Sequence, residues 1–437
     1  MKHSSNSTSR RRFLKTSAVL GAPLILPSGM WSASLKGAGP NSKLQVGLIG
    51  MGKRMQSLLR SFARFDDVQI TATNDIVDAR LKDGTNRVLK EYEKLKRSTG
   101  ELKTFADFRE LLEGKETDAV VIGTPDHWHA IQSILSARAS KHIYCEKPLT
   151  RTIGEGRAVV KAARENGVVY QTGSQQRTEY GGKFRTAVEY IRNGRIGELK
   201  KIHIGVGGPA VADDLLNEDL PEGINWDAWL GPAPRRGFNE VLCPIGVHNH
   251  FPQWRRYKEY AGGALSDIGA HHFDIAQWAL GMDDSGPVSV TPPEDAKATS
   301  GLVFKYANGL EMVHGAYEGR SGCHFFGTKG YIFVDRKTLE SDSPKILETP
   351  LEKNDWRLEE IGSNHQRNWV DCIKSGKKPV ADVEIGHRTN TICLLGNIGY
   401  WLNRPLEWDP KKEQFKGDKE ANALIHQKDR SPWGDLV

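Results

Sequence analysis

The sequence predicts an α/β domain followed by an α+β domain, preceded by an N-terminal extension over residues 1–40. Residues 41–173 alternate apolar strand patterns with helical patterns, which is typical of a parallel sheet covered by helices on both faces. From residue 174 onward, strand-like stretches follow one another, which predicts an α+β domain (174–437) with a largely antiparallel open sheet. The length of 437 residues suits two domains of this size.

Most of the net charge of +7 belongs to the extension. Residues 1–40 contain six Lys or Arg and no Asp or Glu, and the rest of the chain has 55 basic and 54 acidic residues. This balance argues against a nucleic-acid partner. No apolar run approaches the roughly 18 residues that span a bilayer, so we expect no stable membrane span. The five cysteines form no CxxC pair, which favours neither a disulfide framework nor a cysteine zinc site.

Within the extension, residues 9–15 read Ser-Arg-Arg-Arg-Phe-Leu-Lys and precede a short apolar stretch and then small residues. A basic region, an apolar region and a small-residue exit together indicate a cleavable signal. The pattern resembles the twin-arginine signal, which marks proteins exported after folding. The sequence therefore predicts a twin-arginine signal and linker over residues 1–40 and a periplasmic location, with a disordered basic tail as the alternative.

A glycine turn follows the first predicted strand, residues 43–50. Gly50 permits a tight turn, and Gly52 lets backbone N–H groups approach a pyrophosphate at a helix N-terminus. The second predicted strand, residues 68–73, leads to Asp75, which lies near the usual offset for a carboxylate that hydrogen-bonds the adenosine ribose. This arrangement indicates a Rossmann dinucleotide-binding domain. NAD is favoured over NADP because a carboxylate at Asp75 would repel a 2′-phosphate.

The rest of this turn adds candidate ligands and one departure from the usual pattern. Met51, Lys53 and Arg54 are predicted to contact the cofactor. Met55 stands where the third glycine of GxGxxG is usual, so the helix and the strand are expected to pack less closely. An ordinary βαβ turn is the alternative.

Two polar clusters follow later strands of the first domain. The first contains Thr124, Pro125 and His129, and the second is the run Glu-Lys-Pro at 146–148. Because ligands bind beyond the carboxyl ends of strands in a doubly wound sheet, both clusters point to one crevice. A surface turn that merely ends a strand is the alternative for the second cluster. The other elements predicted here are strands at 119–124, 142–145 and 168–172 and helices at 104–112, 129–139 and 153–166.

The second domain contains a long segment, residues 207–260, that is rich in tryptophan, proline and glycine. Its aromatic side chains suit a wall around a sugar, because aromatic faces stack on apolar sugar surfaces, but core packing explains such residues equally well. Residues 411–437 are polar and are predicted to be peripheral. The regular elements predicted in this domain are a helix at 183–192 and strands at 199–206, 298–306, 310–317, 324–327 and 331–334.

Residues 262–278 are predicted to form a helix with one polar stripe. Asp267, His271, Asp274 and Trp278 lie at offsets 0, 4, 7 and 11 and hence on one face. The remaining surface is largely apolar, so the helix is expected to be buried, where charged groups need a partner or a water-filled cleft. Such a place favours a general base. An N-cap role for Asp267 and a satisfied core role for His271 are the alternatives.

Together these motifs resemble the Gfo/Idh/MocA oxidoreductase family over nearly all of residues 43–410. The resemblance rests on Thr124-Pro125 with His129, on Glu146-Lys147-Pro148, and on the run Gly262, Gly263, Asp267, Gly269, His271 and Asp274. It implies that the Thr-Pro turn lies along the dinucleotide and that Lys147, next to an often cis proline, reaches the substrate hydroxyl. It also implies a catalytic group of Lys147, Asp267 and His271. The predicted cofactor site further includes His129, Glu146, Lys147 and Gln175, and the predicted substrate site includes Arg177, His250, Trp254, Asp267 and His271.

The function that follows is an exported NAD(P)-dependent oxidoreductase that transfers a hydride between a nicotinamide cofactor and a sugar, polyol or related polyhydroxylated substrate. Because no free nicotinamide pool is expected outside the cytoplasm, we expect a tightly retained dinucleotide. The alternatives are an NAD-dependent glycoside hydrolase with an oxidation–elimination–hydration–reduction cycle and a non-catalytic sugar-binding protein with a structural dinucleotide. No metal is predicted, although His248, His250, His271 and His272 form an alternative site. The resemblance implies a homo-oligomer, a dimer or tetramer paired through the exposed sheet.

Overall fold

The structure is a computed structural model that describes residues 43–358, 362–427, 429–434 and 436. The predicted export signal at 1–40 lies outside the described residues. Across the part of the chain that is described, no helix combines the length and the apolar character needed to cross a membrane.

The first sheet is parallel in every strand pair of the described residues. Its strands are β1 (Leu44–Ile49), β2 (Val68–Asn74), β3 (Lys103–Phe105), β4 (Ala119–Ile122), β5 (His142–Cys145) and β6 (Tyr170–Thr172). Their order is β3-β2-β1-β4-β5-β6, so the strand order reverses between β1 and β4 and creates a crevice there. The helices between the strands are α1 (Met55–Ala63), α2 (Asp78–Lys94), α3 (Phe108–Glu113), α4 (Asp126–Arg138) and α5 (Ile153–Glu165).

The helix expected at 104–112 is wrong in its first half. Residues 103–105 pair with β2 as the edge strand β3. Helix α3 begins later, at Phe108, where the Asp107 carboxylate accepts a hydrogen bond from the Arg109 N–H and caps the helix. Pairing with a distant strand decides this element, and the local sequence pattern does not show that pairing.

The second sheet has antiparallel strand pairs, and among the described strands only β7 and β10 run parallel. The strands are β7 (Leu199–Gly205), β8 (Ser289–Thr291), β9 (Val303–Lys305), β10 (Glu311–His314), β11 (Gly322–Gly327), β12 (Tyr331–Val334), β13 (Leu339–Ser341), β14 (Leu406–Asp409) and β15 (Gln414–Phe415). Their order is β13-β12-β11-β7-β10-β9-β8-β14-β15. The predicted fold class, a Rossmann domain followed by an α+β domain with a largely antiparallel open sheet, is confirmed.

Helices cover one face of the second sheet. The remaining helices of the chain are α6 (Lys183–Arg192), α7 (Trp226–Leu230), α8 (Gly263–Asp267), α9 (Gly269–Leu280), α10 (Pro344–Glu348), α11 (His365–Ser375), α12 (Val383–Leu402) and α13 (Lys419–Ala423). Apolar side chains of α6, α9 and α12 share one core with the inward-facing side chains of the sheet. The positions that alternate with them, such as His203 and Phe326, face away from this core and are half-buried.

Between β13 and β14 the chain returns to the first domain. The indole of Trp369, on α11, packs edge-on against Phe62 and Tyr144 of the first domain, with ring centroids 5.7 and 5.8 Å apart. The expectation that residues 411–437 are peripheral fits the exposed majority of the described residues there but is wrong for a few that are buried. Phe415 and Asp429 are buried, because long-range contacts, rather than local hydrophobicity, hold this end of the chain in place.

Residues 207–260, which we call the covering segment, lie over the carboxyl edge of the first sheet. The Asp78 N–H donates to the carbonyl oxygen of Gly223 at 3.1 Å, and Val77 forms a β-bridge with Ile224. Most aromatic side chains of the segment pack into a core of its own, which also includes Val77. The segment therefore roofs the place where the glycine turn and the polar clusters converge.

Candidate active site

The glycine turn after β1 leaves room for a ligand. Gly50 has a φ of +83°, and a Cβ there would lie 2.8 Å from Cγ2 of Thr124, so only glycine fits. A Cβ at Gly52 would meet no atom within 4 Å. The open space lies at the start of α1, where free backbone N–H groups bind phosphate well. Both glycines therefore fit the pyrophosphate of a dinucleotide.

Another glycine accommodates Met55, the departure from the usual three-glycine pattern. A Cβ added at Gly123, just after β4, would lie 3.1 Å from the Met55 Cε. The side chain of Met55 thus occupies the space that a side chain at residue 123 would need. Helix and strand therefore still pack closely, because the glycine stands at residue 123, after the strand, instead of at residue 55, in the helix.

Asp75 stands at the end of β2 and lines the same space. Its carboxylate accepts hydrogen bonds from the N–H of Met51 at 2.7 Å and from the N–H of Val77 at 2.9 Å. Burial raises the pKa of the Asp75 carboxyl, although the charge of Arg80 opposes the shift. Arg80 itself donates to the carbonyl oxygens of the covering segment. The carboxylate is therefore held rigidly, with lone pairs left for ribose hydroxyls.

Replacing Asp75 by asparagine is expected to lower the ratio of kcat/KM for NAD over NADP by about tenfold, because a hydrogen bond to a charged group contributes roughly 1.5–3 kcal/mol. The amide keeps the shape, but its single oxygen can accept only one of the two backbone hydrogen bonds, and it loses the charge that repels a 2′-phosphate. Steady-state kinetics with both cofactors measures the ratio. Asp78→Asn, at another carboxylate of the cleft, is the control. An unchanged preference in Asp75→Asn would refute this role.

A cleft of about 600 Å³ runs along the carboxyl edge of the first sheet. It is lined by the glycine turn, by the loop after β3 and by the covering segment. The predicted cofactor residues that line it are Gly50, Gly52, Lys53, Arg54, Asp75, Thr124 and Pro125. Met51 contributes its backbone N–H to Asp75 instead. The cleft has the wall residues that a dinucleotide needs.

His129 lies behind this wall rather than on it. The side chain is buried, with Nδ1 2.7 Å from the carbonyl oxygen of Pro148 and Nε2 3.1 Å from that of Thr124. Burial lowers the pKa of the imidazole. His129 therefore ties the Thr-Pro turn to the loop that carries Lys147, and it acts as a positioning residue.

Glu146 and Gln175 form a second link behind the cleft. The Glu146 carboxylate accepts from Nε of Arg54 at 2.9 Å and from Nε2 of Gln175 at 3.0 Å. Arg54 lines the cleft, so the pair Arg54–Glu146 fixes a guanidinium beside the glycine turn. Gln175 extends this network to the start of the second domain.

Lys147 follows β5 and is joined to Pro148 by a cis peptide bond, as the resemblance implied. Its Nζ donates to Oδ1 of Asp267 at 2.5 Å and to the backbone oxygen of Asp267 at 2.7 Å. Burial acts to raise the pKa of Asp267, but the charges of Lys147 and then Arg255 hold it below its usual value. The first and second domains thus meet in an ammonium–carboxylate pair.

His271 lies one turn beyond Asp267 and is 4% exposed. Its Nδ1 has no hydrogen-bond partner among the described residues. Burial, and then the charge of Lys147, lower the pKa of the imidazole well below 6.5, so the ring is neutral. A neutral imidazole beside an ammonium group can accept a proton from a hydroxyl that the ammonium group binds.

Two family models match the chain, and together they span both domains. One, described as an oxidoreductase family with an NAD-binding Rossmann fold, matches residues 44–174, and the other, the C-terminal alpha/beta domain of that oxidoreductase family, matches residues 210–435. The chain belongs to the Gfo/Idh/MocA oxidoreductase family. The cofactor of its first domain is NAD.

Relatives of this oxidoreductase include enzymes of two kinds. A myo-inositol 2-dehydrogenase of Thermotoga maritima is 24% identical over 388 residues, or 83% of this chain and 96% of the relative. A glycosyl hydrolase family 109 protein of Stenotrophomonas maltophilia is 28% identical over 285 residues, or 61% of each chain. The WlbA dehydrogenase of Bordetella pertussis, solved with NADH and UDP-GlcNAcA, has a similar fold, with a TM-score of 0.57 and 18% identity over 84% of this chain and 99% of that chain.

The polar stripe predicted at 262–278 is divided in this oxidoreductase. Helices α8 and α9 meet at Ile268, and Asp267 and His271 lie beside Lys147. Asp274 is buried elsewhere, because its carboxylate accepts two hydrogen bonds from Arg177 at 2.8 Å. The stripe therefore supplies two residues to the site and not four.

Arg177, predicted to contact substrate, has a different place. Its guanidinium is 1% exposed, pairs with Asp274 and Asp283, and lies 4.8 Å from the ring centroid of Trp278. The N–H groups of the Arg177 guanidinium all donate hydrogen bonds inside the protein. The prediction is corrected: Arg177 holds α9 against the start of the second domain.

Replacing Arg177 by methionine is expected to lower the free energy of unfolding by about 3–5 kcal/mol, because the buried Asp274 would lose its charged partner. Chemical denaturation measures the difference. Arg87→Met, which removes an exposed pair with Asp83 within α2, is the control and should cost only about 0.5 kcal/mol or less. Equal effects of the two substitutions would contradict the structural role of Arg177.

Of the other predicted substrate residues, Trp254 lies at the cleft and His250 does not. Trp254 lines the cleft and packs against Arg255, whose Cζ lies 4.1 Å from the ring centroid. His250 lies on the exposed surface, and its ring packs against His248 with centroids 4.7 Å apart. Among the described residues, no three His, Cys, Asp or Glu side chains are grouped as metal ligands would be.

Three charged residues near the Lys147–Asp267 pair were not predicted. Arg255 lies 3.8 Å from Oδ2 of Asp267. Asp126 is 4% exposed, and burial raises the pKa of its carboxyl well above the usual value. The third is Arg336, whose charge contributes to lowering the pKa of His271. Asp126 directly follows Thr124-Pro125, so that motif could have predicted it as a site residue. No motif lies next to Arg255 or Arg336 that could have predicted them.

Proposed function

We propose that this chain transfers a hydride between the nicotinamide of NAD and a carbinol carbon of a sugar, polyol or related polyhydroxylated compound. The single observation that carries the proposal is the convergence of Lys147, Asp267 and His271 from two domains at one edge of the first sheet. An ammonium group, a carboxylate and a neutral imidazole together can bind a hydroxyl and remove its proton.

The residues present fit the cofactor. The space beside Gly52, the positive φ of Gly50 and the buried carboxylate of Asp75 match the pyrophosphate and the ribose of NAD. Arg54 and Lys53 supply positive charge at the same turn. When bound, NAD supplies the carbon that accepts or donates the hydride.

The chain's own residues handle the proton. His271 takes the proton of the substrate hydroxyl, and Lys147 donates a hydrogen bond to the same oxygen and stabilises its developing negative charge. Asp267 accepts a hydrogen bond from Lys147 and aims its Nζ, while the charges of Lys147 and then Arg255 keep the Asp267 carboxylate ionised. In the reverse direction His271 returns the proton.

A redox-neutral glycoside hydrolase is the second candidate, favoured by the 28% identity to a glycosyl hydrolase family 109 protein. Such a cycle oxidises a ring carbon, eliminates the aglycone, adds water and reduces the carbon again. A panel of free sugars and polyols beside aryl glycosides separates the candidates. Net NADH formation from the free compounds supports the dehydrogenase, whereas release of the aryl group without net NADH supports the hydrolase.

We further propose that the protein is exported through the twin-arginine route to the periplasm and retains its dinucleotide. The support is the pattern at 9–15 together with the expected lack of a free nicotinamide pool outside the cytoplasm. Denaturing the purified mature protein and identifying any released dinucleotide tests retention. Fractionation of cells that express the full chain and a twin-lysine variant of the signal tests export.

A homo-oligomer, a dimer or tetramer, belongs to the same proposal. The outward face of the second sheet carries a row of half-buried rings, with His203 and Phe326 5.9 Å apart and Phe326 and Tyr331 4.9 Å apart. A two-fold axis would bury such a row against its own copy. Analytical sedimentation of the purified protein gives the oligomeric state, and a monomer at micromolar concentration would refute it.

A further inference from the structure

We propose that residues 429–434, which we call the C-terminal clasp, form a wall of the adenine end of the cleft and slow the release of NAD through Trp433. The proposal rests on binding of NAD by the first domain. The clasp is far from the glycine turn in sequence, and no motif of the sequence assigns it to the cofactor site.

The clasp is anchored by a buried ion pair. The Asp429 carboxylate lies 2.6 Å from Nη2 of Arg151, which also lies 3.2 Å from Glu155, and these three side chains are 1–3% exposed. Nη1 of Arg151 donates to the carbonyl oxygen of Glu259 in the covering segment at 3.0 Å. Removing one partner of such a buried group is strongly unfavourable, so the anchor is fixed. One guanidinium thus joins the clasp, α5 and the covering segment.

A second anchor follows directly. Nε of Arg430 donates to the carbonyl oxygen of Gly231 at 2.9 Å, and Nη1 lies 2.5 Å from the Asp227 carboxylate. The backbone N–H of Arg430 donates to the carbonyl oxygen of Pro232 at 3.0 Å. These contacts hold the chain close to the cleft, which Trp433 lines three residues further on.

Trp433 lines the cleft between two side chains of the first domain. Its ring centroid lies 5.0 Å from that of Trp128, and the Cζ of Arg109 lies 5.5 Å from the Trp433 ring. Phe108, 5.6 Å from Trp128, completes the group. Three aromatic rings and a guanidinium plane are the surfaces on which a planar base packs.

The order of the sheet shows which end of the dinucleotide meets this group. The glycine turn follows β1, and Asp75 follows β2. Phe108 and Arg109 follow β3, the next strand outward, and only Trp128 of the group follows β4. Lys147 follows β5 on the other side of β1. A dinucleotide with its pyrophosphate at the turn and a ribose at Asp75 therefore directs its adenine, and not its nicotinamide, toward Trp433.

The test uses the purified mature protein, freed of dinucleotide, and three ligands titrated by fluorescence or calorimetry: NADH, ADP-ribose and reduced nicotinamide mononucleotide. Trp433→Ala is expected to lower the affinity for NADH and for ADP-ribose by about tenfold. This is the loss expected when one base–aromatic contact, which contributes roughly 1–3 kcal/mol, is removed. It should leave the mononucleotide unchanged and speed NADH release in stopped-flow displacement. Trp433→Phe should retain most of the affinity.

Trp356→Ala is the matched control, because Trp356 is half-buried, packs against Arg192 at the end of α6 and does not line the cleft. Arg109→Ala removes the guanidinium that packs against Trp433, at an exposed position, and should also lower the affinity for NADH. This second variant tests the proposal if Trp433→Ala does not fold. Unchanged NADH affinity in both variants, or an equal loss for the mononucleotide, would overturn the clasp. Failure of the unsubstituted protein to bind any dinucleotide would instead overturn the cofactor assignment itself.

Discussion

Replacing Lys147 by alanine is expected to lower kcat by about 10³-fold, within the roughly 10²–10⁴-fold contribution of a residue that assists proton transfer. Lys147 is the group whose ammonium reaches across the domain boundary to Asp267. Its loss removes the hydrogen bond that stabilises the substrate oxygen as that oxygen becomes negative. The fold should survive, because Arg255 remains 3.8 Å from the Asp267 carboxylate.

Steady-state kinetics on the best substrate of the panel measures this effect. Lys141→Ala is the matched control, because Lys141 immediately precedes β5 at the opposite edge of the sheet and donates to the backbone oxygens of Gly114 and Thr117. That variant should keep the kcat of the unsubstituted protein. Near-normal turnover in Lys147→Ala would rule out the proposed role.

The second large effect is expected at His271. His271→Asn should lower kcat by about 10²–10⁴-fold, because the amide cannot take the proton of the substrate hydroxyl. His272→Asn is the control: His272 is the adjacent buried histidine, and its ring packs against Phe184 of α6. If the two variants lose activity equally, the loss is structural and His271 is not the base.

The pH dependence gives an independent readout of the same residue. Burial and the charge of Lys147 lower the pKa of His271 well below 6.5. A general base works in its deprotonated form, so kcat/KM falls as the pH falls through that pKa. The acid limb of the profile is therefore expected below pH 6.5, and His271→Asn should lack it. An acid limb that persists unchanged in that variant belongs to another group.

Local signals in the sequence predicted the cofactor half of the molecule well. Strand β5 has the predicted bounds, 142–145, and in the second domain helix α6 also has its predicted bounds, 183–192. The glycine turn and Asp75 were also predicted, because a tight turn before a helix and an acid after the next strand depend on a few neighbouring residues. Such features are read from one stretch of chain, and tertiary packing changes them little.

The rest depends on contacts between distant residues. Arg177 and Asp274 are 97 positions apart, and nothing in either local pattern shows that they neutralise each other inside the protein. Asp429 is buried by Arg151, which lies 278 positions earlier. Helical periodicity put Asp274 on one helix face with Asp267 and His271, whereas the buried guanidinium of Arg177 decides where its carboxylate points. Polarity alone placed residues 411–437 outside, whereas two ion pairs hold the clasp in place.

The most direct test of the central claim follows an isotope. The protein is incubated with NAD and a panel of carbon-deuterated sugars, polyols and aryl glycosides, and the recovered dinucleotide is analysed by mass spectrometry. The account predicts that at least one compound places a single deuterium on the nicotinamide ring and that Lys147→Ala and His271→Asn slow this transfer. Tight binding of NAD without deuterium transfer from any compound would contradict it and would identify a non-catalytic protein that keeps its dinucleotide.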